Sequence, residues 1–121
     1  RLMAQDVLDR AVAARGLAAG PCRTRELPLV GANGVVQQGD LPASLVARYG
    51  TEAPAVLAAA RCERPAEPVA AGIDVTRAEF EFAVTHEGAL DADDILDRRT
   101  RIGLVAADRE RCLSAAAEFA G

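Results

Sequence analysis

Apolar residues fall into a helical rhythm at both ends of this chain and lose it between. Ala4, Val7, Leu8, Ala11 and Val12 share one face over 2–15, the three- and four-residue spacing of an amphipathic helix. Gly16 stands where a left-handed residue would close it. Between 17 and 40 the rhythm stops. The stretch "GPCRTRELPLVGANGVVQQGD" holds two Pro and four Gly, which break helix and strand alike, so a long irregular loop is predicted there.

Helical signals resume in short runs. "DLPASLVARYG" reads as a helix with Asp40 as N-cap, Pro42 in the first turn and Gly50 as its stop. "TEAPAVLAAARCE" follows with Thr51 as N-cap, Pro54 in the first turn and an apolar stripe of Val56, Leu57 and Ala60. Pro65 and Pro68 make "ERPAEPVAAG" a linker. The next segment is ambiguous by pattern, because Phe80, Phe82 and Val84 alternate as in a strand. Thr76 with Glu79 three residues on makes a capping box, which decides for helix, with Gly88 near its end. Asp91 caps the following helix. Asp93 and Asp94 lie at its positive end and Arg98, Arg99 and Arg101 at its negative end. Asp108 opens a last helix with Leu113, Ala116, Ala117 and Phe119 on the buried side. The sum is an all-α fold: a single helical domain, 1–121, of about six short helices with one long irregular loop.

Size permits one domain with a real core. Half of the residues are apolar but only Tyr49, Phe80, Phe82 and Phe119 are aromatic, so Ala, Leu and Val must build it. All 14 basic residues are Arg. The net charge of −4 and the scarcity of aromatics disfavour nucleic acid as a partner. The aspartates at 91–94 further disfavour a helix-turn-helix reader over 91–118. No uncharged apolar run approaches the roughly 18 residues that span a bilayer. Cys22, Cys62 and Cys112 are odd in number and widely spaced. They suit free, mostly buried thiols in a reducing cytosol rather than a disulfide framework or a zinc site. "GANG" is no phosphate loop, since the GxGxxG and GxxxxGK patterns are both absent.

The densest chemistry is "VTHEGALDADDILDRRTRIGLV", 84–105. One reading makes His86 a general base oriented by Glu87. A metal site would need more ligands than one His and scattered acids, and a triad needs a nucleophile that sequence cannot bring near. The structural reading lets Glu87 accept a bidentate bond from Arg98, Arg99 or Arg101, fixing the angle between two helices. The structural reading is preferred over a ligand or partner contact and over catalysis, with His86, Glu87, Asp91, Arg98, Arg99, Thr100 and Arg101 as its motif and no catalytic, cofactor-binding or metal residue.

"RYGTEAPAVL", then "EFAVTHEGALDADDILDRRTRIGLV", then a final Asp-led helix, together resemble the C-terminal domain of FAD-dependent glycerol-3-phosphate dehydrogenases. In that family an "RYG" helix end, a terminal "HE" and an "L-x-RRT" helix occur in this order. "RLMAQDVLDRA" is similar to the helix that leads out of their last FAD-contacting segment. The resemblance implies that 1–121 is a helical cap domain of a larger flavoenzyme and that 1–15 continues out of a preceding FAD domain. The parent would oxidise sn-glycerol 3-phosphate to dihydroxyacetone phosphate with FAD and pass electrons to a membrane quinone. It would be cytoplasmic and peripheral at the membrane. This stretch alone would hold no FAD and no activity, and its partners would be the FAD and substrate domains of the same chain. A face of the first helix, around Leu2 and Met3, would be left uncovered and would favour a homodimer. The rival class is an independent helical protein-interaction module.

Overall fold

The computed structural model describes residues 1–32, 34 and 39–121. Part of the expected loop, Asn33 and 35–38, lies outside the described residues. Five α-helices follow one another: α1 (Leu2–Arg15), α2 (Ala43–Tyr49), α3 (Ala53–Ala59), α4 (Arg77–Thr85) and α5 (Ala106–Ala120). Short 3-10 turns, Gly50–Glu52 and Ile102–Leu104, join α2 to α3 and lead into α5. The sixth expected helix is present but widened, with Asp94–Arg99 forming a π-helical segment. Among the described residues there is no strand, only one isolated bridge between Pro68 and Thr76.

α4 explains the ambiguous pattern of its sequence. Phe80 and Ala83 bury into one cluster with Ile95, Leu96, Cys112 and Ala116. Ala78 and Phe82 face a second cluster built on Leu45, Ala53 and Val56. A helix covered on two sides shows no single apolar stripe, and its residues 80, 82 and 84 mimic a strand's alternation. Edge-on ring contacts tie it to both neighbours, Phe80 to Phe119 at 5.9 Å and Phe82 to Tyr49 at 5.7 Å. The capping box is present.

Several local expectations change. Asp40 caps nothing: α2 starts after Pro42. Thr51 sits inside the 3-10 turn and Glu52 precedes α3, while Pro54 occupies the first turn as expected. α5 begins at Ala106, two residues before Asp108, whose carboxylate instead accepts from Arg111 at 2.6 Å. Its buried side is Cys112 and Ala116 with Phe119 packed against the cluster. Leu113 is 40% exposed and Ala117 is exposed as well. That face follows from where α4 and the π segment lie, which periodicity alone does not reveal.

α1 ends as expected, at Gly16 with φ 61. Its apolar stripe is largely exposed: no α1 residue is buried, Val12 is half-buried, and Met3 is 83% and Val7 64% exposed. No helix among the described residues is long and apolar enough to cross a membrane.

Candidate functional site

Three backbone turns meet at one cleft: the end of α2, the turn after α4 and the end of the π segment. α2 stops abruptly because Gly50 adopts φ 55, ψ −127, a conformation side chains resist. The loop at Gly31 closes on it, with Thr51 N–H donating to Gly31 O at 3.0 Å. A β-carbon on Gly50 would collide with Gly31 O, and one on Gly31 with Tyr49 O. Arg48 and Tyr49 are thereby fixed at the rim.

Arg48 reaches across to α4. Its Nε donates to Glu79 Oε1 at 2.5 Å and its Nη2 to Glu79 Oε2 at 3.1 Å. Nη2 also donates to Asp74 O at 2.5 Å, and Nη1 to Asp74 Oδ2 at 3.3 Å. Glu79 is 1% exposed. Its Oε2 further accepts from Thr76 N–H at 2.7 Å and from the Thr76 hydroxyl at 2.9 Å. One carboxylate thus caps α4 and pins α2 to it.

The π segment arrives through its acids. Asp91 caps it as expected, its Oδ1 accepting from Asp94 N–H at 2.7 Å, while Asp94 Oδ2 accepts from Leu90 N–H at 2.9 Å. Arg98 pairs with Asp94. Arg109 of α5 pairs with Asp93 and, at 3.1 Å, with Asp97. At the far end Thr100 closes the wide turn, N–H to Ile95 O at 3.0 Å and hydroxyl to the same oxygen at 2.8 Å. The chain then reverses at Arg101, a non-glycine residue at φ 62.

The resulting cleft encloses about 380 Å³ and is lined by Arg48, Tyr49, Glu87, Arg99, Thr100 and Arg101. The "RYG", "HE" and "RRTR" stretches therefore converge. They do not pair as expected. Among the described residues Glu87 makes no ion pair within 4.0 Å with Arg98, Arg99 or Arg101. Arg98 is held by Asp94 one turn back, while Arg99 and Arg101 line the cleft with Glu87 without closing on it. Burial pushes the Glu87 carboxyl above its usual range, and Arg99 and Tyr49 pull it only part of the way back. Burial and the charges of Glu87 and Glu79 raise the Tyr49 phenol.

His86 stays outside this group. It is exposed, stacks on Phe82 at 4.4 Å between ring centroids, and its Nδ1 bonds the Thr85 hydroxyl at 2.7 Å. Glu87 does not orient it, so no His–Glu base forms. The thiols are all free, but only Cys112 is buried, with Cys62 half-buried and Cys22 exposed.

Two anchoring residues escaped the sequence reading. Arg48 lies 31 residues from Glu79, and Arg109 lies 12 from Asp97. The capping box marked Glu79, yet nothing local marked its cationic partner.

Residues 22–121 match the family model described as the C-terminal domain of alpha-glycerophosphate oxidase. Proteins named glycerol-3-phosphate dehydrogenase 1 from Mycobacterium bovis and Mycobacterium tuberculosis are each 68% identical over 124 residues, covering 98% of this chain and 24% of their own length. A glycerol-3-phosphate dehydrogenase from Mycobacterium leprae is 34% identical over 119 residues, covering 86% of this chain and 20% of its own. The chain thus spans about a quarter of the curated relatives it matches. No solved structure matches it. With the matched region reaching from Cys22 to the last residue, the chain belongs to the family of the C-terminal domain of alpha-glycerophosphate oxidase.

Proposed function

We propose that this chain serves as the C-terminal helical domain of an FAD-dependent glycerol-3-phosphate dehydrogenase, which oxidises sn-glycerol 3-phosphate to dihydroxyacetone phosphate and delivers electrons to quinone. The alignment of 98% of the chain with a quarter of a glycerol-3-phosphate dehydrogenase, at 68% identity, carries the reading. FAD would supply the hydride acceptor in the parent. The residues here do not fit that group: the sequence has no GxGxxG turn to receive its pyrophosphate.

This domain's part is structural. Arg48 with Glu79, and Arg109 with Asp93 and Asp97, brace helices rather than converge on a reacting atom. The largely exposed apolar face of α1 supports a contact with the domains that precede it in the parent, with self-association through Leu2 and Met3 as the substitute cover. The parent is proposed to be cytoplasmic and peripheral at the membrane where quinone resides.

The test compares two purified proteins. The full-length parent is expected to carry flavin and to reduce a quinone analogue when given sn-glycerol 3-phosphate. The 121-residue chain is expected to be colourless and inactive. A parent indifferent to sn-glycerol 3-phosphate, or a flavin-loaded 121-residue chain, would overturn the proposal.

A further inference from the structure

The cleft at the end of the π segment has an unbalanced charge. Three guanidinium groups line it against one carboxylate. Arg48 is neutralised by Glu79 and Asp74. Of the acids in the 91–97 run, Asp94 is used by Arg98, Asp93 and Asp97 by Arg109, and Asp91 by the Asp94 N–H. Among the described residues, Arg99 and Arg101 have no carboxylate within 4.0 Å and no side-chain hydrogen bond. The backbone at Arg101 is left-handed, a conformation glycine would take freely. An arginine held there keeps its side chain at the cleft, and strain of this kind gathers at ligand sites.

We propose that this cleft binds the phosphate of a small phosphomonoester, with Arg99 and Arg101 as its ligands. The guanidinium fork matches two phosphate oxygens at once and its charge survives at any working pH. A volume of about 380 Å³ exceeds what a bare oxyanion needs and lies in the range of small-molecule sites. The rest of the lining is Tyr49, Thr100 and Glu87, polar groups suited to the hydroxyls of the esterified part. Glu87 also repels a second anionic group, which favours a monophosphate over a polyphosphate. The site does not depend on the activity proposed above, and its test does not read activity.

Hydrogen exchange followed by mass spectrometry on the full-length protein localises the effect. The probes are inorganic phosphate and glycerol 2-phosphate, each against chloride at equal ionic strength. Peptides containing 46–50, 86–88 and 98–102 are expected to gain protection saturably with both probes, more strongly with the ester. Arg99→Gln/Arg101→Gln should weaken that protection at least about tenfold, since two charge-assisted bonds are lost. Arg98→Gln, whose side chain is engaged by Asp94, should leave it unchanged. Both cleft arginines are exposed, so the double variant is expected to fold; should it melt early, Arg99→Lys, which keeps the charge and loses the fork, replaces it and should weaken binding. Absence of saturable protection at these peptides would overturn the proposal. So would equal protection in the cleft variant, or equal loss in Arg98→Gln.

Discussion

Glu79→Ala should be the most damaging single substitution among the charged residues. It removes the acceptor of two Arg48 bonds at 2.5 and 3.1 Å and of two Thr76 bonds at 2.7 and 2.9 Å. Breaking a fully buried ion pair from one side costs about 3–5 kcal/mol. Arg48 is 31% exposed on its side chain and keeps Asp74, so water and that carboxylate recover much of its share, leaving about 1.5 kcal/mol. Thr76 is 2% exposed, and its stranded N–H and hydroxyl add about 1–2 kcal/mol. The total of about 3 kcal/mol corresponds to roughly 10 °C in melting temperature for a chain of this length. Glu79→Gln keeps an acceptor for Thr76 and should lose about half as much. Thermal unfolding followed by circular dichroism measures both, and a cycle with Arg48→Ala isolates the pair. A Glu79→Ala melt within about 2 °C of wild type, or strict additivity in the cycle, would refute the argument.

Glu87→Gln should behave in the opposite sense. Because burial raises its carboxyl above the ordinary 4.5, the folded pKa exceeds the unfolded one. Stability from this group is therefore present below 4.5 and lost as pH rises through the folded value. Glu87→Gln should melt slightly higher than wild type at neutral pH, with the gap closing in acid. A lower melt at neutral pH would show that Glu87 is a brace after all. Gly50→Ala should cost about 2 kcal/mol or more, from the disfavoured backbone and the collision with Gly31 O, measured by urea denaturation. Arg101→Gly should gain about 0.5–1 kcal/mol in the same assay by relieving the left-handed backbone.

The existence of the helices was legible because caps and breakers act locally: Gly16, Pro54, Asp91 and the Thr76–Glu79 box each do what their residue types dictate. The faces were less so. The outward turn of Leu113 and Ala117 and the inward turn of Cys112 depend on where α4 and the π segment sit. Asp40 and Thr51 are good capping residues in sequences whose helices begin two or three residues later. At the cleft Glu87, Arg99, Thr100 and Arg101 meet, but Glu87 takes none of the arginines the sequence offered it. Each arginine of "DRRTR" has several acids within reach along the chain, and the winner is set by helix phase, which the π widening shifts. Arg48 and Arg109 were invisible because their partners lie 31 and 12 residues away.

The double coverage of α4 bears on how this protein comes apart. Phe80 and Ala83 belong to one cluster, Ala78 and Phe82 to the other, and Glu79 between them holds Arg48. Neither cluster can open while the other persists, because the nine residues of α4 would have to be both helical and unwound. Residues 43–120 should therefore exchange their slowest amides in a single global event. α1, which buries nothing against either cluster, should open on its own and at far lower free energy. A protease would then find one early site, in the 17–30 stretch, and afterwards meet a core that resists until it yields all at once.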